Sequence, residues 1–228
     1  MLIGHYTSSL IAKRIVPEIP LSLLFIAAQF VDIFWTIFVL EGLESFRLIP
    51  GFTASNPLDL YFMPYTHSLP AAFAWGLGLA VVLSLLSKRF RTKTTFITII
   101  LVVVSHWFLD LLVHVPDLPL WGNEYKQGFG LWHYRELSLA LEFCLVLAST
   151  YYLSKGRIFL NQAKGLWILV SSMAAMQVFG TYGPAPESTT EVAVMALAAF
   201  LLFAYLAHLV ELRIKGNTPN IKINHETL

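Results

Sequence analysis

The chain has 228 residues, 57% of them hydrophobic and only 13% charged, with a mean hydropathy of +0.67 and a formal net charge of +1. That balance lies outside the range of soluble domains and describes an integral membrane protein. A nearly neutral chain offers no basic surface to phosphates, which excludes a nucleic-acid partner, and its single cysteine, Cys144, excludes an intrachain disulfide or a CxxC metal site.

The first 20 residues lack a charged segment leading directly into an apolar core and a small-residue cleavage site, so no cleavable signal peptide is expected. A helix needs about 20 apolar residues to cross the hydrocarbon core. Six stretches meet that need: Leu21 to Leu40, His67 to Leu86, Thr95 to Val115, Glu136 to Leu153, Leu166 to Thr181 and Glu191 to Leu212. The fifth is the shortest. No internal repeat or low-complexity tract divides them. The expected architecture is all-α, a polytopic helix bundle forming one integral-membrane domain over residues 1–228. Its polar residues concentrate in 1–145, and two further helices lie in 165–212.

Lysine and arginine set the orientation. With both termini cytoplasmic, twelve of the 15 basic residues fall on the inner side and three on the outer, a strong positive-inside bias. The long loops Glu41 to Thr66 and Pro116 to Arg135 then face outward, which in a bacterium is the periplasm. Asn56-Pro57, Met63-Pro64, Pro116 and Pro119 mark turns and helix boundaries within them.

Depth along each span, at about 1.5 Å per helical residue, locates the polar groups. Asp32 lies near the middle of span one, His67 opens span two, and Glu142 lies about two turns into span four. In span three, His106, Asp110 and His114 follow an i, i+4, i+8 spacing and share roughly an 80° arc. All fall in the outer half of the bilayer, where each carboxylate costs about 2.5–3.5 kcal/mol to insert. A shared polar site explains why the cost is borne.

Imidazole and carboxylate ligands drawn from several helices suit a divalent metal, zinc above all, and binding would neutralise carboxylates otherwise buried as charges. Asp32, His67, His106 and Asp110 form a two-histidine, two-carboxylate set for one ion. Water on such an ion ionises near neutral pH and can attack an ester or phosphoester. Glu142 is a candidate general base or further ligand, and His114 and His133 are candidates for a second ion, for orientation or for proton donation.

Plainer readings compete with each assignment. His106 and Asp110 can satisfy one another within a single helix, Asp32 can pair with one histidine, and a polar residue at a helix start such as His67 is ordinary. His114 and Asp117 flank Pro116 at the interface and read more readily as capping or loop residues than as ligands. Trp107, Trp121 and Trp132 fit an interfacial aromatic belt, while His208 and His225 lie toward the inner side. His133 and Glu142 are half a helical turn out of phase, so they cannot line one face of a continuous helix. The case for a site rests on co-location.

Several segments carry a resemblance to a known family. They are Gly4-His5-Tyr6 with Ala12-Lys13-Arg14, then Ala27 to Asp32, Asn56 to Ser68, Ser105 to Asp110 and Gly128 to Trp132. Together they resemble the bacterial inner-membrane family of metal-dependent hydrolases, which includes a LexA-binding type. The resemblance implies a metal site with His5, Asp32, His67, His106 and Asp110 as its positions. A more distant likeness is to the zinc-dependent phospholipase C and P1 nuclease group, whose later H-x-x-x-E is absent here, since His133 is followed by Glu136. A cytoplasmic amino terminus would keep His5 from an outer-half site unless residues 2 to 12 dip into the bilayer as a half-helix, with Lys13 and Arg14 at the inner face.

The expected function is therefore a hydrolase of a small ester or phosphoester, with the lipid bilayer and a small or lipid-like substrate as its partners. The alternative is a permease or an ion or proton carrier that uses the His/Asp stripe as a pathway, which paired discontinuous helices would favour.

Overall fold

The computed structural model describes residues 1–156, 159 and 163–216, with side chains to 213. Among these residues are eight α-helices: α1 (Tyr6–Ile15), α2 (Leu21–Ala28), α3 (Phe30–Leu40), α4 (Leu69–Leu86), α5 (Lys93–Val113), α6 (Arg135–Ser154), α7 (Ala163–Tyr182) and α8 (Thr189–Gly216). Five of them are long and apolar enough to cross a membrane. The bent pair α2 and α3 makes a sixth candidate, broken at Gln29 by 54°. The expected all-α bundle is thus observed, with a sharp break inside its first span.

The second expected boundary differs by two residues for a local reason. Ser68 caps α4, its hydroxyl accepting from the Ala71 amide at 3.4 Å, and Pro70 suits the first turn because it has no amide proton to lose. His67 therefore stands outside the helix. At the other end of the site, α5 stops at Val113 and His114 adopts an extended cap conformation, two residues before Pro116, which disfavours helical geometry at Val115.

The long outer segment after α3 is not simply a loop. It contains an antiparallel hairpin, β1 (Ser45–Leu48) and β2 (Leu58–Phe62). Asn56 Oδ1 accepts the Leu58 amide at 3.0 Å and so turns the chain into β2.

Helices α4 and α5 form an adjacent pair whose close approach depends on Gly76, where a Cβ would lie 3.2 Å from the Ile100 carbonyl oxygen. Helix α8 packs on α2 and α3, and α6 packs on α1 and α7. One apolar cluster includes Leu24, Ala28, Val31, Ile99 and Val103; a second includes Tyr6, Leu10, Val146, Met173 and Phe203. Residues of α1 and α2 contribute to both clusters, so these two short elements tie the bundle together. Phe73, Leu77, Val81 and Leu85 leave an exposed apolar stripe along α4, as a lipid-facing surface requires.

Helix α1 is packed inside the bundle and carries His5 at its N-cap. Its residues Tyr6, Ser9, Leu10 and Lys13 recur at helical spacing and are buried. Ser9 donates to the Leu24 carbonyl at 2.7 Å, Lys13 pairs with Glu211 at 2.7 Å, and Arg14 donates to the Tyr152 carbonyl.

Two of the three tryptophans assigned to an aromatic belt are internal instead. Trp107 is buried and donates to the Pro119 carbonyl at 3.1 Å, and Trp132 is buried against His114, with ring centroids 4.2 Å apart. Trp121 remains exposed.

Candidate functional site

The break at Gln29 is where the site begins. It places Asp32 in the first turn of α3 and leaves the Ala28 carbonyl to accept a hydrogen bond from His106 Nδ1 at 2.9 Å. Helix α5 supplies His106 and Asp110 from one face and His114 from its cap. His67 arrives from the turn before α4, and His5 from the N-cap of α1. The five residues inferred as metal positions, His5, Asp32, His67, His106 and Asp110, thus converge from four separate elements.

Their ligand atoms have the spacing of a coordination shell. Asp32 Oδ1 lies 3.2 Å from His67 Nε2 and 3.4 Å from His106 Nε2. Asp110 Oδ2 lies 3.1 Å from His106 Nε2 and 3.9 Å from His67 Nε2. Nitrogen and oxygen ligands around a tetrahedral ion lie about 3.4 Å apart, given bond lengths of about 2.0–2.1 Å. The buried His and Asp groups could hold a metal ion, in the sets His67, His106, Asp110 and His5, Asp32, His106.

Hydrogen bonding fixes three imidazoles in the form a metal needs. A carbonyl only accepts, so His106 carries its proton on Nδ1 and leaves Nε2 as a lone pair. Thr66 Oγ1 donates to Glu44 Oε2 at 2.6 Å and therefore accepts from His67 Nδ1 at 2.8 Å, which frees His67 Nε2. His114 Nδ1 donates to Asp117 Oδ1 at 2.8 Å, and its Nε2 faces Asp110 Oδ1 at 3.6 Å. Metal-binding histidines commonly make such outer contacts, which set ring orientation and basicity. His106 Nε2 and both ring nitrogens of His5 are buried without a hydrogen-bond partner, the condition a bound cation would relieve.

Asp110 and Asp117 both approach the His114 ring, at 3.6 Å from Nε2 and 2.8 Å from Nδ1. Loop 116–130 seats this residue: Gly130 donates to the His114 carbonyl at 2.6 Å, and a Cβ at Gly128 would collide with the carbonyl oxygens of His114 and Val115. His114 thus belongs to the cluster, and the capping role weighed for it falls instead to its backbone.

Glu142 is buried beside the same cavity and is committed to the chain's first residues. Its Oε2 accepts from the amides of Leu2, Ile3 and Gly4 at 3.0, 3.0 and 3.1 Å, while Gln177 Nε2 lies 3.5 Å from Oε1. The Met1 amino group lies 2.7 Å from Asp110 Oδ1, and Gln29 Nε2 donates to the Leu2 carbonyl at 2.8 Å. Glu142 therefore positions the segment that brings His5 into the site. His133 and Glu136 are exposed and do not join the cluster; His208 is exposed on α8, and His225 lies outside the described residues.

A cavity of about 230 Å³ meets the cluster. Asp32, His67, Asp110 and His114 form its polar wall, Leu139 and Phe200 contribute apolar surface, and Arg135 also lines it. Four participants escaped the sequence reading as site residues: Glu44, Gln29, Asp117 and Gln177. Glu44 follows an apolar span, an ordinary place for a polar residue, and Gln29 is an uncharged residue within the first span, so only the fold reveals their contacts. Asp117 carried a signal, its i, i+3 spacing from His114.

No family model, curated protein or solved structure matches this chain.

Proposed function

We propose that the chain is a membrane-bound, metal-dependent hydrolase acting on an ester or phosphoester, with zinc as its ion and its cavity open to the outer side of the membrane. The observation that carries the reading is the common arrangement of His67, His106 and His114. Each spends Nδ1 on an acceptor and turns Nε2 toward a carboxylate, two of them onto the shared Asp110–Asp32 set.

Asp32, His67, His106 and Asp110 would hold the ion, with His5 against Asp110. A divalent ion held there acts as a Lewis acid, polarising the scissile group and acidifying a water near neutral pH. Asp117 holds His114 in the orientation that presents Nε2 to the cavity, which suits it to give a proton to a leaving group. Glu142 holds the amino-terminal segment, and its Oε1 is the oxygen left for proton exchange. Arg135 gives the cavity a cationic group suited to an anionic substrate, and the apolar wall at Leu139 and Phe200 suits an acyl chain that enters from the bilayer.

Metal content of the detergent-purified protein tests this reading, together with hydrolysis of short-chain phospholipids and chromogenic phosphodiesters. Near-stoichiometric zinc and turnover, both lost in His106→Ala and Asp110→Ala, are expected. A wild type that holds no metal, after purification without chelators and with metal added back, would overturn it. The carrier reading has one observation in its favour, the discontinuous α2–α3 span with its Ala28 carbonyl turned into the site. Ion-driven uptake into proteoliposomes, with no hydrolysis, would support the carrier.

A further inference from the structure

Arg135 is the one lysine or arginine that lines the cavity among the described residues, and two contacts hold it there. Its Nε donates to the Ala54 carbonyl at 2.5 Å, and its guanidinium carbon lies 5.5 Å from the centre of the Tyr182 ring. Neither contact uses Nη1 or Nη2, and no carboxylate pairs with this guanidinium among the described residues.

The two residues after Ala54 line the same cavity. Ser55 Oγ is buried without a hydrogen-bond partner, while the Ser55 amide donates to the Trp132 carbonyl at 3.0 Å and fixes the turn. Asn56 commits Oδ1 to the Leu58 amide, which leaves its side-chain N–H donors for another acceptor. Two guanidinium nitrogens, a hydroxyl and an amide group gathered at one rim match the acceptor oxygens of a phosphate. The cavity's carboxylates, Asp32, Asp110 and Glu142, repel an anion, so the Arg135 rim is its seat.

An apolar surface continues from that rim. Val192, Ala196 and Phe200 recur every four residues on α8 and line the cavity over about 12 Å of helix. Because α7 ends at Tyr182 and α8 begins at Thr189, the row starts near the rim and runs away from it into the bundle. Gln177 is 9% exposed and also lines the cavity; its Nε2 lies 3.5 Å from Glu142 Oε1, and its own Oε1 is buried without a partner.

We propose that this cavity binds a single-chain lipid phosphate of the lysophospholipid class. Its phosphate sits on Arg135, Ser55 and Asn56, its free glycerol hydroxyl donates to Gln177 Oε1, and its chain follows Val192, Ala196 and Phe200. The cavity volume of about 230 Å³ lies below the roughly 300–1,000 Å³ of pockets for drug-sized ligands, which favours one chain over two. An arginine near the membrane surface needs no ligand when water or headgroups solvate it. Solvation of Arg135 leaves the Ser55 hydroxyl and the Gln177 oxygen unexplained, since both are buried and unpartnered. The inference names a substrate class for the hydrolase reading above and rests on that reading only for the fate of the bound lipid.

The test is equilibrium binding of the ether-linked phosphonate analogue of oleoyl lysophosphatidic acid, which has no hydrolysable bond, to the full chain in detergent. Saturable binding to the wild type is expected. Arg135→Gln should weaken it at least about tenfold, as for lost charged hydrogen bonds, whereas Arg47→Gln, on the exposed hairpin, should leave it unchanged. Ala196→Phe should also weaken it, by filling the path of the chain. Equal affinity in wild type and Arg135→Gln would overturn the phosphate seat. Displacement by inorganic phosphate at equal concentration, with no effect of Ala196→Phe, would overturn the lipid in favour of free phosphate. Should Arg135→Gln fail to fold, Ser55→Ala decides by the same measurement, and unchanged affinity there would overturn the seat. Metal content is read on the same samples. Bound zinc without lipid binding would overturn this inference alone, and lipid binding without metal would overturn the hydrolase reading alone.

Discussion

Glu44 and His67 are joined through one hydroxyl: Thr66 Oγ1 lies 2.6 Å from Glu44 Oε2 and 2.8 Å from His67 Nδ1. Glu44 also accepts the amides of Tyr65 and Thr66, at 2.7 and 3.0 Å, so the turn is anchored before the histidine is oriented. Thr66→Val keeps the shape and every proposed ligand while cutting the relay. Zinc affinity should fall by about 10–100-fold, as for other lost outer-shell contacts. Competition against a chromogenic chelator measures it; an unchanged affinity would mean that packing alone orients His67.

Asp32 and Asp110 both approach His106 Nε2, at 3.4 and 3.1 Å, so removing a cation leaves two buried carboxylates around one imidazole. Their desolvation and mutual repulsion are then offset only in part, by the Met1 amino group on Asp110 Oδ1. Binding to the folded state alone adds about 4 kcal/mol when the ion is at a thousand times its Kd. A chelator should therefore lower the Tm of the wild type markedly and that of Asp110→Asn much less. Equal shifts in the two proteins would detach the cluster from metal binding.

Gln29 is fully buried at the break between α2 and α3 and holds the Leu2 carbonyl. Gln29→Leu removes that donor and strands a buried acceptor, at a cost of about 1–3 kcal/mol. It should also lower zinc affinity, because the same residue anchors the segment that carries His5 and sits where the chain bends to present Asp32. Thermal unfolding and metal content, read on the same sample, check both effects. Lost stability with full zinc affinity would show that other contacts hold the break.

The spans and the core of the site were legible because they depend on local patterns. Apolar length marks helices whatever packs against them, and the four-residue spacing puts His106 and Asp110 on one face before any tertiary contact exists. Asp32 was legible from its depth, since an idle carboxylate there is costly. Helix α1 was harder to read: ten residues with Ser8, Ser9, Lys13 and Arg14 do not resemble a span, and their burial depends on partners as remote as Glu211. Glu142 has the right depth for a site residue, but only the fold shows its oxygen taken up by three amides. His114 was obscured by Pro116, which marks a helix end without saying where the capping side chain points. The β1–β2 hairpin was hidden by the prolines and glycines of its own loop.

Among the described residues, Lys13 pairs with Glu211 and Arg47 with Asp59, and the difference in their surroundings predicts very different costs. Lys13 is 1% exposed and gives its ammonium to the Pro17 and Ile19 carbonyls at 2.7 and 2.8 Å and to Glu211 Oε1 at 2.7 Å; Glu211 Oε2 in turn accepts the Leu21 amide. Lys13→Met removes a buried ammonium from Glu211 and from two carbonyls, which should cost about 3–5 kcal/mol. Arg47 meets Asp59 at 2.6 Å, but its side chain is 63% exposed, so solvent screens the pair, and Arg47→Ala should change stability by less than about 1 kcal/mol. Unfolding in mixed detergent micelles compares the two directly. Since Lys13 lies outside the His/Asp cluster, the fraction of Lys13→Met that folds should bind metal as the wild type does. A Lys13→Met protein as stable as Arg47→Ala would mean that solvent or lipid headgroups reach Glu211, and that α1 is held by its apolar face alone.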